Sequence, residues 1–126
     1  MRILVVDDNQ AVLNQLSGLL SARYEVVEAA NGLDAQEKLQ SQQFDLLVVD
    51  HLMPLMNGIQ LLKNLQQHAQ GRAMPSIFMT TQGSTKVKEL VEQGLCDCIV
   101  DKPLDETKLL SLIQQLNKQN TVCHSL

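Results

Sequence analysis

Tryptophan is missing from this chain of 126 residues, and its aromatics amount to Tyr24, Phe44 and Phe78. A core must therefore be assembled from Leu, Val, Ile and Met. Stacking of bases on aromatic rings, the usual device for holding single-stranded nucleic acid, is poorly supplied. An excess of positive charge is missing as well. Ten Lys and Arg against 14 Asp and Glu leave a net charge of −4, the wrong sign for a surface that follows a phosphate backbone, so direct nucleic-acid binding is not expected. Cysteine is scarce: Cys96, Cys98 and Cys123 make an odd number without a CxxC pair, which reads as a reducing compartment and not a disulfide scaffold. Cys96-x-Cys98 lacks the second pair or neighbouring histidine that would complete a zinc site, and reads as two small residues around a buried strand. No apolar run approaches the ~20 residues of a membrane span. Met1-Arg2 leads straight into a strand pattern without a signal peptide. A cytoplasmic protein with no membrane contact is the expectation.

What is present is regular. Apolar residues make up 44% of the chain, ordinary for a globular domain, and the length suits one core. Strand-like and helix-like patterns alternate. Residues 2–6 are a continuous β-rich run, and 9–22 carry Val12, Leu13, Leu16, Leu19 and Leu20 at helical spacing. Tyr24–Glu28 alternates partly, as a less buried strand would. Asn31 is placed to cap a helix with Asp34 in its first turn, burying Leu33, Ala35 and Leu39. Residues 44–49 are apolar on both faces after Asp45, the mark of a central strand. Asn57-Gly58 opens a helix bearing Ile59, Leu62 and Leu65, and 71–75 form the loop after it. Ser76–Met79 is a fourth strand ending at Thr80-Thr81. A short polar helix over 84–93 presents Val87, Leu90 and Val91, and 97–101 is a fifth strand. Asp105 caps the last helix, with Leu104 stapled onto Leu109 and with Leu109, Leu112, Ile113 and Leu116 facing inward. The chain from Asn117 is polar and expected to fray, so the domain is set at 1–119 with a tail at 120–126. Five βα units with short connections imply an α/β fold, a doubly wound parallel sheet with helices on both faces.

The acids are not scattered. The run Ile3–Val6 stops at Asp7-Asp8, the run Leu46–Val49 stops at Asp50, and Ile99-Val100 runs into Asp101-Lys102-Pro103. Open α/β sheets place their chemistry beyond the carboxyl ends of their strands. In the order 2-1-3-4-5 the first and third strands are neighbours at the switch point, so Asp7, Asp8 and Asp50 meet there. Three carboxylates side by side repel and call for a cation. An oxygen-only set suits Mg²⁺, with Lys102 as a point charge for phosphate and Thr80 as a hydroxyl donor. That is equipment for phosphoryl transfer, with a carboxylate as nucleophile. Asp50, alone on its strand end, is the candidate. Taken singly, Asp7-Asp8 could cap a helix, although capping needs only one acid, and Lys102 could be a solvated charge. His51, next to Asp50, reads as a loop residue and not a ligand, because adjacent strand-end side chains point to opposite faces.

Together the acidic pair Asp7-Asp8, Asp50 followed by Met53-Pro54 and Gly58, Thr80, and Lys102-Pro103 resemble the receiver domain of two-component response regulators, over essentially the whole chain. The resemblance implies the flavodoxin-like fold with five helices and, for the residues, defined roles. Asp50 would accept a phosphoryl group from a histidine kinase or histidine phosphotransfer protein. Asp8 would bind Mg²⁺ directly, Asp7 through water, and Leu52 through its backbone carbonyl, beside Asp50 itself. Thr80 would be the hydroxyl that moves toward the phosphoryl oxygens, Lys102 the phosphate-pairing lysine, and Pro103 would follow a cis bond. The output would pass to an effector domain or protein, and the protein would be a monomer or a weak homodimer through the face of the fourth helix, fifth strand and fifth helix. The chain departs from the family pattern three residues before the lysine, where an aromatic switch is usual and Ile99 stands (Cys98, if the alignment shifts by one). That departure speaks mildly for an interaction domain that signals without phosphorylation. A small aspartyl phosphatase is the third reading, but it would pair its nucleophile with a second acid where this chain has Leu52.

Overall fold

A computed structural model describes residues 1–125 except 54, 68–73 and 82–87, with side chains described as far as 117. Five parallel strands form one sheet in the order β2-β1-β3-β4-β5. They are β1 (Arg2–Val6), β2 (Glu25–Ala29), β3 (Leu46–Asp50), β4 (Ser76–Thr80) and β5 (Cys98–Asp101). The helices are α1 (Gln10–Leu20), α2 (Gly32–Ser41), α3 (Gly58–Gln66), α4 (Glu89–Glu92) and α5 (Glu106–Ser125). This is the flavodoxin-like order expected from the sequence.

The period-2 alternation of the strands divides the core in two. Leu4, Val6, Leu47, Val49 and Phe78 pack with Ala35 and Leu39 of α2, Leu61, Leu62 and Leu65 of α3, and Leu90 of α4. Ile3, Val5, Leu46, Val48, Ile77 and Met79 pack on the other face with Leu13, Leu16 and Leu20 of α1 and Leu109, Ile113 and Leu116 of α5. Every residue of β3 and β4 is buried, while the edge strands β2 and β5 keep exposed positions, as their mixed sequences require.

The helix starts follow side-chain chemistry. Asn9 Oδ1 accepts from the Ala11 N–H, so Asn9 caps α1 and neither Asp7 nor Asp8 does. Asn31 accepts from Asp34 N–H, Asn57 and Gln60 form a capping box, and Asp105 accepts from Lys108 N–H. Three expectations need correction. Leu33 is 48% exposed, because α2 turns Gly32, Ala35 and Leu39 inward instead. Val91 is 41% exposed while Leu90 is buried. The segment from Asn117 is helical as far as Ser125. Val87, most of the 71–75 loop and the first half of the 84–93 helix lie outside the described residues.

Candidate functional site

The register of the sheet builds the site. Val6 pairs with Val49, so Asp7 leaves β1 level with Asp50 at the end of β3. Thr80 pairs with Asp101, which brings Lys102 one residue past the end of β5 to the same edge, and the Lys102 N–H donates to the Thr80 carbonyl. The Lys102-Pro103 bond is cis, as expected. Continuing the alternation, Asp7, Asp50 and Lys102 share the α1/α5 face with Val5, Val48 and Val100.

Their side chains meet. Lys102 Nζ lies 2.5 Å from Asp7 Oδ2 and 2.9 Å from Asp50 Oδ1, bridging the two carboxylates. Asp7 is fully buried and Asp50 nearly so, while Asp8 is exposed at the rim. Asp7 Oδ1 also accepts from the Asn9 N–H, which fixes the carboxylate against the start of α1. Burial pushes the Asp50 carboxyl above its ordinary pKa; the hydrogen bond from Lys102 draws it back in part, and the charge of Asp7 adds to the rise. Burial acts to lower the Lys102 pKa, but its hydrogen bonds to Asp7 and Asp50 outweigh that and raise it above the ordinary value. Lys102 is therefore a cation under any physiological condition.

Asp7, Asp8 and Asp50 each offer an oxygen, all within 4.8 Å of one another. Three acids and one lysine leave the pocket with an excess of two negative charges. An all-oxygen donor set, partly buried and partly open through Asp8, fits a hard divalent cation such as Mg²⁺ that keeps some of its waters. Leu52 is next to the pocket, with its side chain 53% exposed.

Gly58 explains how α3 comes so close. Its N–H donates to the His51 carbonyl at 2.9 Å, and a Cβ there would stand 2.2 Å from the Asp50 carbonyl oxygen. Only glycine admits this approach of the helix to the strand end.

Thr80 is fully buried, and the sequence reading missed its neighbour. His51 Nδ1 lies 3.2 Å from Thr80 Oγ1, and the imidazole packs on Phe78 with ring centroids 5.1 Å apart. The register accounts for the contact: Asp50 pairs with Met79, so the next residue, His51, falls level with Thr80, and both share the face of Phe78. His51 does point away from the Asp50 face, as expected, but toward the buried Thr80 hydroxyl instead of solvent. Ile99, where an aromatic is usual, packs against the α2/α3/α4 core. Cys96 and Cys98 are free thiols, and burial pushes Cys96 up to about 12, which makes it an inert core residue. Pro54 lies outside the described residues.

The chain is similar to known proteins over most of its length. PilH of Pseudomonas aeruginosa is 33% identical over 114 residues, which cover 89% of this chain and 93% of PilH. The response regulator Rre1 of Synechocystis is 31% identical over 90% of this chain and 50% of its own length. The crystal structure of the chemotaxis response regulator CheY4 of Vibrio cholerae superposes with a TM-score of 0.84 at 30% identity, covering 91% of this chain and 97% of that one. The chain spans about half the length of several curated relatives it matches. Residues 3–114 match the family pattern described as the response regulator receiver domain, and the chain belongs to that family.

Proposed function

We propose that the chain is a phosphoacceptor: Asp50 takes a phosphoryl group from a histidine kinase or histidine phosphotransfer protein, in a Mg²⁺-dependent reaction, and the change is passed to an effector. The observation that carries this reading is the bridge from Lys102 Nζ to both Asp7 and Asp50 beside exposed Asp8. A purely structural ion pair would not need three acids around one lysine.

An Asp50 oxygen attacks phosphorus, the oxygen–phosphorus bond forms, and the bond to the donor's imidazole nitrogen breaks, with the electron pair leaving on that nitrogen. Burial disfavours the charged carboxylate of Asp50, so nucleophilicity is gained at the expense of ground-state stability. Lys102, already 2.9 Å from Asp50, turns its charge to the incoming phosphoryl oxygens. Asp8, Asp50 and the Leu52 carbonyl would hold Mg²⁺ directly and Asp7 through water, and the ion would neutralise phosphate charge when bound. Thr80 offers its hydroxyl to the acyl phosphate. The cellular setting implied is the cytoplasm; among the described residues no helix is long and apolar enough to cross a membrane.

Incubation with Mg²⁺ and acetyl phosphate, followed by intact mass measurement, tests the reading. Wild type should gain one phosphoryl group and Asp50→Ala none. Equal behaviour of the two would remove Asp50 as the acceptor.

A further inference from the structure

The hydroxyl of Thr80 is held by a residue to which the reading above gives no task. His51 Nδ1 is 3.2 Å from Thr80 Oγ1. The imidazole is fixed from several sides. Its backbone N–H donates to the Met79 carbonyl at 2.9 Å, and its carbonyl accepts from Gly58 N–H at 2.9 Å. Its ring rests on Phe78, a fully buried side chain. The sheet alternation places His51, Thr80 and Phe78 on one face of the strand ends, and Asp50, Asp7 and Lys102 on the other.

A threonine hydroxyl carries a single proton to donate, and phosphoryl oxygens are acceptors only. A proton donated to an imidazole nitrogen is not available to a phosphoryl oxygen on Asp50. We propose that His51 is a positioning residue that competes with the phosphorylated Asp50 side chain for the Thr80 hydroxyl. In the resting protein, on this proposal, the ring proton sits on Nε2 and Thr80 donates to the bare His51 Nδ1. After phosphorylation the hydroxyl turns across the strand end to the acyl phosphate, and the imidazole is released. His51 thereby reports the state of Asp50 from the residue next to it, on the α2/α3/α4 face where Ile99 supplies no aromatic ring. The inference rests on Asp50 being the phosphoacceptor.

Two variants separate the parts of the histidine. His51→Phe keeps a ring on Phe78 and removes the nitrogen. His51→Asn keeps a polar atom near the position of Nδ1 and removes the ring. Loss of the competitor should speed uptake from acetyl phosphate in His51→Phe by roughly two- to tenfold, the range of one hydrogen bond. His51→Asn should return the rate toward wild type, which a role in packing alone would not produce. In ¹⁵N spectra of the histidine ring, assigned through His51→Phe, the Nδ1 signal of His51 should move on addition of Mg²⁺ with beryllofluoride, and Thr80→Val should move it without them. Intact mass separates the two ways of failing. If no variant gains a phosphoryl group, the assignment of Asp50 falls and the competition with it. If wild type and His51→Phe gain it at the same rate, or Thr80→Val leaves the Nδ1 signal in place, the competition falls alone.

Discussion

Asp50 combines two opposed demands. As the proposed nucleophile it would need its charge, and its surroundings disfavour that charge, first by burial and then through Asp7, with Lys102 compensating only in part. A carboxyl whose pKa is raised on folding makes the folded state bind more protons than the unfolded one, so stability declines as pH climbs from the unfolded value of about 3.8 through the raised folded value. Asp50→Asn should therefore melt higher than wild type at pH 7 in the presence of chelator, with the gap closing as pH falls below that window. Calorimetry at both pH values checks this, and a lower melting temperature for Asp50→Asn at pH 7 would mean that the Lys102 pair dominates. Leu52 has the opposite character, an apolar side chain half in solvent beside the acceptor. It has no atom with which to orient an attacking water, so the phosphoryl group should be long-lived, and Leu52→Asn should shorten its half-life by up to about tenfold, the worth of one hydrogen bond. A wild-type half-life of seconds, followed by mass measurement after donor removal, would contradict it. The acids, the lysine and the threonine were legible as strand-end residues before any coordinates. His51 lies past the strand end and faces away from Asp50, as the alternation implies, but its contact with Thr80 was not legible, because a side chain's neighbour depends on the register between β3 and β4, which no local pattern contains.

At the scale of elements, the strands read cleanly and the helices less so. Fully buried strands are apolar between their polar ends, which made β3 and β4 recognisable, and the caps Asn31 and Asp105 sit where short polar side chains precede apolar periodicity. The misjudged Leu33 and Val91 belong to short helices, where an error of one residue in phase rotates the buried stripe by about 100° onto a different residue. The polar stretch after Asn117 was taken to fray because it lacks an apolar face, yet α5 extends a helix already begun, and adding a turn is far easier than starting one. The start of α3 shows how an element sets the site. Gly58→Ala would press a Cβ on the Asp50 carbonyl oxygen and within 3.1 Å of Phe78. Backbone cannot rotate away, so the change should cost about 2–3 kcal/mol by denaturant unfolding and weaken Mg²⁺ binding by displacing Asp50. Asn57→Ala removes the cap of the same helix and should cost about 1 kcal/mol while leaving Mg²⁺ affinity near wild type. If both variants weaken Mg²⁺ binding equally, general loosening of α3, and not the displacement of Asp50, is responsible.

At the scale of the whole molecule, one lysine joins the amino-terminal, central and carboxyl-terminal parts of the sheet at a single edge. Lys102 leaves β5, and its two carboxylate partners stand one residue past the end of β1 and at the end of β3. Without a divalent cation, that ion pair is what allows Asp7, fully buried, to remain within the cluster. Lys102→Met should destabilise the cation-free protein by about 3–5 kcal/mol at pH 7, the usual consequence of removing one partner from a buried pair. Added Mg²⁺ then has a larger task in the variant than in wild type, because it must neutralise Asp7 and Asp50 as well as Asp8. A ligand present at a hundred times its dissociation constant stabilises by about 2.7 kcal/mol, so the wild-type melting temperature should rise measurably across a Mg²⁺ titration. On the proposed reading the rise should be greater in Lys102→Met, because removing the competing cation would tighten the site, and nearly absent in Asp8→Asn, which would take an exposed carboxylate from the ion site and little from the core. Parallel melting curves of the three proteins with chelator and with Mg²⁺ decide the matter. A Mg²⁺-induced rise of equal size in all three would place the ion elsewhere and leave the cluster as an ion pair alone.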